Sequence, residues 1–446
     1  MGLALFKRYL KAAAAAVCTV LLLCGCGGFD ITADDFLAPP RASGEMYDIQ
    51  QTLEKSISGK YTLKYPTAGR HRSAYILADL TGSGSESFAI AFYSSLNSEN
   101  LAAMHLNLMK KVDDDWMSIS DISMSAIGVE KVEFADLDRD GLKEIVVGWN
   151  IYGGVDKRVL VYSLKGLTLN PRIQESYTDF ICCDLRESGQ NDLLILNHNT
   201  AAASASVKLY TFGEDGVRES GSCLLDGTVT SFSEPVLSKL SGGRPAIFID
   251  AVKGNGMQTE IVCYQDGSLV APLYSGIAEG RSVTYRDTAV ASIDINGDGC
   301  LDIPFIQEID NFSLQIDPST LNPITRWCSY NGREFILSMF ALMNYADGYY
   351  FEIPDRWLNR ITVERETESR LRAVYLWNIE DGRIESELMR IRTVTESEWD
   401  KSNNGFSGYT EITRADGVVY AVMISGYEGV EKIDMSEIQS RFHLIG

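Results

Sequence analysis

Histidine is scarce in this chain: His71, His105, His198 and His443 are its only four, and none stands at a spacing that suggests a metal site or a nucleophile's base. No G-x-S-x-G turn and no phosphate-cradling glycine loop occurs, which removes the commonest local signatures of serine hydrolases and nucleotide-binding enzymes. Cations are outnumbered, with 40 Lys and Arg against 61 Asp and Glu for a net charge of -21. Such a surface is repelled by nucleic acid and by anionic lipid, so no nucleic-acid partner is expected. Cys182, Cys183, Cys223, Cys263, Cys300 and Cys328 show neither metal-binding nor stapled-scaffold spacing. A chain of 446 residues can bury a core without disulfides, so most read as small core residues.

Long apolar runs are also missing. The run from Ala12 to Leu23 follows Lys7, Arg8 and Lys11, is too short to span a bilayer, and reads as a secretory signal segment. It ends in Leu23-Cys24-Gly25-Cys26, which resembles a bacterial lipobox. That resemblance implies cleavage before Cys26, lipidation of Cys26, and a lipid-anchored protein on the extracytoplasmic face of a bacterial membrane. Removing residues 1–25 takes three cations and no anion, from 40 to 37 against 61, and leaves about -24. Residues 26–45 read as a flexible tether.

What the chain has in abundance is a repeated acidic turn. Asp136-Leu-Asp138-Arg-Asp140-Gly141-Leu-Lys-Glu144 and Asp294-Ile-Asn296-Gly-Asp298-Gly299-Cys-Leu-Asp302 are its full copies. Oxygens at the first, third, fifth and ninth positions can converge on one hard cation, and the glycine permits the tight turn that brings them together. Degenerate copies begin at Asp79, Asp184 and Lys239, so the starts fall at 79, 136, 184, 239 and 294, at steps of 57, 48, 55 and 55. An apolar strand enters each turn and another leaves it, as in Ala74–Ala78 and Phe88–Phe92, or Ala289–Ile293 and Ile303–Ile306. Two further strands usually follow. Four strands per repeat is one propeller blade.

The residues after each glycine are strand-formers, and the twelfth positions are Val147 and Phe305, where an EF-hand needs glutamate. The loops therefore join strands and not helices. With this pattern the chain resembles the FG-GAP or VCBS repeat family, similar to the heads of integrin α-subunits, over about residues 70–340. The resemblance implies a mainly β fold, a β-propeller of four-stranded blades with five repeats visible. It also implies one structural calcium at Asp136, Asp138, Asp140 and Glu144, and another at Asp294, Asn296, Asp298 and Asp302. The loops at 79, 184 and 239 read as plain polar turns. Cys300, inside the last loop, is a poor calcium ligand and is expected to be exposed.

A short helix at about Met46–Ser56 and a strand at Tyr61–Tyr65 precede the first repeat, and the propeller is expected over 46–342. After the Asn331-Gly332 turn the repeat stops, and 343–446 read as a small α+β domain. Its opening, Gly348-Tyr-Tyr-Phe-Glu-Ile-Pro-Asp-Arg-Trp357, is similar to PsbP-like domains of bacterial lipoproteins. The rival reading gives these residues to further degenerate blades. Aromatic residues including Trp116, Trp149, Tyr152, Trp327, Tyr349, Tyr350 and Trp357 read first as core, and otherwise as a groove for sugar or peptide. The expected function is a calcium-stabilised module that binds or scaffolds a protein or glycan and catalyses nothing. The alternatives are a polysaccharide hydrolase or lyase with carboxylates in the propeller funnel, and a purely structural envelope protein.

Overall fold

A computed structural model describes residues 44–96, 102–151, 156–213, 215–274, 282–307, 324–378, 380–401 and 406–445. Cys26, the segment before it, the tether up to Ser43 and Tyr152 lie outside the described residues. The protein is mainly β, in six antiparallel sheets that follow one another along the chain. Sheet two shows the repeat in its simplest form: Gly128–Ala135, Glu144–Asn150, Lys157–Lys165 and Thr168–Ser176 pair in sequence order. Sheet three repeats it with Asp179–Cys183, Asp192–Asn199, Ser204–Gly213 and Gly216–Leu225. Sheets one and four are variants in which two short strands share the first position. Tyr61–Lys64 and Tyr75–Ala78 lie along Phe88–Leu96, and Ser231–Phe232 and Val236–Lys239 lie along Pro245–Lys253.

The apolar runs Ile145-Val-Val, Leu193-Leu-Ile-Leu and Ala246-Ile-Phe-Ile follow from the packing. Successive side chains of a strand point to opposite faces, so a strand buried on both sides must be apolar at every position. Ile145, Val147 and Trp149 pack with Phe92 and Leu106 of sheet one, while Val146 joins Phe180, Leu193 and Ile195 of sheet three. Leu194 and Leu196 in turn meet Ile247, Ile249 and Val262 of sheet four. Each fully buried Leu, Ile or Val adds about 1.5–3 kcal/mol relative to exposure. Gly148 is dictated by the same closeness, because a Cβ there would lie 2.2 Å from the Tyr177 hydroxyl. The outer strand Thr168–Ser176 is mostly exposed or half-buried, with Leu169 its one buried residue.

First strands of sheets two and three lie against each other, and so do fourth strands of sheets one, two and three. The sheets are thus stacked like blades, but among the described residues they do not close into a ring. The helix Glu45–Ser56 buries Ile49 and Leu53 on the far face of sheet one, against Ala89, Ala91, Met109 and Trp116. The boundary expected near 343 falls inside sheet five. There Ile303–Gln307, Ile324–Tyr330 and Phe335–Asn344 continue into Tyr349–Glu352 and then into the chain's last strand, Phe442–Leu444. Sheet six runs Ile361–Glu366, Leu371–Asn378, Arg383–Thr395, Val418–Ile424, Thr410–Ala415, and packs on sheet five through Phe351, Val363, Val374, Met389 and Val422. Trp149, Trp327, Trp357 and Tyr349 are fully buried and serve the core.

One expected strand is not formed: Ala289–Ile293 keeps only the bridge from Ile293 to Asp302. The Asp250 carboxylate takes the Ser292 amide at 2.7 Å and the Ser292 hydroxyl at 3.0 Å, so a ladder donor is spent on a side chain. Arg286, itself buried, donates to Asp250 at 3.1 Å and to Thr259 Oγ1 at 3.0 Å, and pins the segment to sheet four.

Candidate metal centre

The recurrent turn has a mechanical basis that needs no ion. In four of its copies the first Asp accepts the amide of the turn glycine, Gly84 to Asp79 at 2.7 Å, Gly141 to Asp136 at 3.2 Å, Gly189 to Asp184 at 2.6 Å and Gly299 to Asp294 at 2.8 Å. These glycines have φ of +74° to +86°, where a side chain is disfavoured. At 239 the turn closes by backbone bonds alone, Leu240 with Arg244 and Gly243 with Leu240.

Above this common scaffold the copies diverge. Asp136, Asp138 and Glu144 bring carboxylate oxygens within 4.8 Å of one another, the one such acidic group among the described residues. Glu144 is buried between its loop and the sheet, accepting from the Leu137 amide at 2.8 Å and from Ser163 Oγ at 3.0 Å. Burial pushes its carboxyl up to about 7, Asp138 and Asp140 add to the rise, and the two hydrogen bonds oppose it. Asp138 receives Arg172 at 2.7 Å on Oδ2, while its Oδ1 is buried with no hydrogen-bond partner. With Glu144 ionised, three carboxylates and one guanidinium leave two negative charges, and an orphaned buried oxygen carries a desolvation cost of about 1–3 kcal/mol. This all-oxygen donor set fits a hard divalent cation. Asp140, the fourth expected ligand, is exposed and instead caps the Leu142 amide at 2.8 Å.

In the second full copy, Asp294, Asn296 and Asp298 are exposed, and the carboxylates of Asp294, Asp298 and Asp302 do not converge as those of the first copy do. Asp294 is occupied by the amides of Gly297, Asp298 and Gly299, and Asp298 by the Cys300 amide. Asp302 is buried, accepts Ile295 N at 3.2 Å and the Ser338 hydroxyl, and is pushed by burial up to about 6. Cys300 is half-buried and not exposed, with Sγ 3.6 Å from the Leu240 carbonyl, because the loop leans on the turn of sheet four. All six described cysteines are free.

Two further polar clusters escape a reading by spacing. Lys131, buried between sheets two and three, meets Glu133 at 3.1 Å, Asp179 at 3.1 Å and Glu234 at 2.9 Å. Burial works against its charge, but Glu133, Asp179 and Glu234 outweigh it and hold the ammonium well above the ordinary lysine range. It therefore stays protonated and is no base. On sheet one, Ser95 Oγ lies 3.0 Å from His105 Nε2, and His105 Nδ1 lies 2.9 Å from Asp121 Oδ1. That is the bond order of a serine triad, assembled from three strands. Asp121 is also gripped by Tyr93 at 2.7 Å and by buried Asn107 at 2.8 Å. Tyr93 stacks flat on the imidazole at 4.5 Å, so the network ties three strands together beside the helix. Only the antiparallel register, which pairs Tyr93 with His105 and Asn107 with Asp121, would have revealed it.

No protein-family profile matches the chain, and no curated protein matches it in sequence. Solved structures with a similar course include the Bacillus licheniformis rhamnogalacturonan lyase PL11, at 11% identity and TM-score 0.30, with 66% of each chain covered. The chain thus spans just under two thirds of that lyase. The exotype rhamnogalacturonan lyase YesX is matched at 10% identity and TM-score 0.32 over 81% of this chain and 90% of that one. The exo-β-1,3-galactanase of Phanerochaete chrysosporium is matched at 12% and 0.28, over 79% and 82%. Likeness this slight defines neither a shared family nor an activity.

Proposed function

We propose that the chain is a calcium-stabilised binding module whose FG-GAP or VCBS-like repeats build propeller-type blades. A lipid on Cys26 holds it at the extracytoplasmic face of a bacterial membrane, where it presents its surface to a protein or glycan. The observation that carries the calcium reading is the convergence of Asp136, Asp138 and Glu144 around the unpartnered Asp138 Oδ1. Calcium there would neutralise clustered carboxylates and lock the strand-joining loop, stabilising the fold by mass action. Thermal unfolding in calcium and then in chelator tests it. A melting temperature that ignores chelation rejects the site.

A second reading, a polysaccharide hydrolase or lyase, draws on the meeting of Glu133, Asp179 and Glu234 around Lys131. Glycosidases need two carboxyl groups with separated roles. Here the acids share one permanent cation, which favours a structural clamp. Release of reducing ends or unsaturated products from a polysaccharide panel, lost in Asp179→Asn, would reverse that preference.

A further inference from the structure

Sheet six carries a cleft of about 490 Å³, formed where the 367–370 turn meets the strand Arg383–Thr395 and the short helix Glu396–Lys401. Its lining is richer in cations than the chain as a whole. In a protein with 61 acids and 40 bases, the cleft gathers Arg370, Arg392 and Lys401 against Glu368 and Glu398. Arg370 is already paired, its Nε 2.6 Å from Asp347. Glu398 is also committed, accepting the Thr395 amide at 3.0 Å and the Thr395 hydroxyl at 2.7 Å. Arg392 is different. Among the described residues it makes no ion pair within 4.0 Å and donates no hydrogen bond, Glu398 acting on it only at longer range, and its guanidinium carbon lies over the Phe406 ring, 5.1 Å from the ring centre. Trp399 stacks on the other partner of that pair, 5.3 Å from Phe406, and stiffens the platform.

A half-buried guanidinium without an acceptor is costly, and its planar fork of donors matches a carboxylate. Beside it, Ser369 Oγ and Thr393 Oγ1 are buried and unpartnered. With Asp347 already neutralising Arg370, the remaining Arg392 and Lys401 balance Glu368 and Glu398, so the one open guanidinium, that of Arg392, suits a single carboxylate better than a dianion such as phosphate. The volume is that of a small-ligand pocket.

We propose that this cleft binds a sugar acid, a hydroxylated ring bearing one carboxylate, with Arg392 taking the carboxylate and the Ser369 side of the cleft meeting hydroxyls. This rests on the reading of the chain as a binding module, but not on its calcium. Titration calorimetry of D-glucuronate into the detergent-purified full chain tests it, with glucose and inorganic phosphate as separate arms. Glucuronate is expected to bind at least tenfold more tightly than glucose, and Arg392→Gln to weaken it about tenfold, the size of one charge-assisted pair. Arg392→Lys, which keeps charge and loses the fork, should fall between, and Ser369→Ala should cost a few-fold while leaving melting unchanged. Glucose binding as tightly as glucuronate, phosphate binding in its place, or an Arg392→Gln protein that melts normally and binds undiminished would each overturn the proposal. Glucuronate binding that survives chelator supports it even if the calcium site fails.

Discussion

Arg186 closes on Asp192 with two parallel bonds, Nε to Oδ2 at 2.8 Å and Nη2 to Oδ1 at 2.7 Å. These are the third and ninth positions of the repeat loop, where the 136 copy has Asp138 and Glu144. The protein thus places its own cation where the neighbouring repeat gathers uncompensated carboxylates. Asp192 has no exposed side-chain surface, so Arg186→Ala strands a buried charge and should cost about 3–5 kcal/mol in urea unfolding. The Arg186→Ala/Asp192→Ala double variant should be less costly than Arg186→Ala alone. A single-variant loss under about 1 kcal/mol, the range of exposed pairs, would refute the compensation.

The two full copies should respond unequally to calcium. At a concentration about 100 times the dissociation constant, one site adds about 2.7 kcal/mol. Asp138→Ala removes the residue with the orphaned oxygen and should abolish most of the calcium-dependent rise in melting temperature. Asp298→Ala should remove little, since that carboxylate is exposed and engaged with the Cys300 amide. Equal losses in the two variants would show that the loop at 294 also closes on an ion.

The Ser95, His105 and Asp121 network is expected to hold strands and not to perform chemistry. Asp121→Ala leaves buried Asn107 short of an acceptor and should cost about 1–3 kcal/mol. A fluorophosphonate probe should not modify Ser95 beyond a denatured control. Labelling at Ser95 that disappears in His105→Gln would instead establish a primed nucleophile.

Much of this architecture is legible in the residues because packing and sequence period coincide. A strand sandwiched between two sheets must be apolar throughout, and the runs at 145, 193 and 246 announce it. The helix at Glu45–Ser56 and the tail strands also lie close to where their periods place them. Ligand sets were harder to read. The motif names four oxygens at 136, yet a fifth-position side chain can cap a local amide as readily as reach inward, and Asp140 does so. The strand at 289–293 failed for a similar reason, since Asp250, 42 positions earlier, claims the Ser292 amide. The clusters at Lys131, His105 and Arg392 join residues from separate strands, turns and a helix, and local spacing carries no trace of them.

Glu260 gives a pH test separate from any metal. It is buried in sheet four, accepts Gln258 Nε2 at 2.8 Å, and lies near Asp226, itself paired with Lys253 at 2.5 Å. Burial pushes its carboxyl up to about 6 from 4.5, with Asp226 adding to the rise and Gln258 and Lys253 opposing it. In the fold it therefore binds a proton more tightly than in the unfolded chain. Its contribution to stability is full below pH 4.5 and is lost as pH rises through about 6, a loss of about 2 kcal/mol at pH 8. Glu260→Gln keeps the shape and removes the titration. The variant should gain stability relative to the parent between pH 5 and pH 8 by about 1.3 kcal/mol in urea unfolding, the rest of the loss falling below pH 5. A parent-to-variant difference that stays constant across this range would mean that Glu260 keeps its ordinary acidity, and that water or rearrangement relieves its burial.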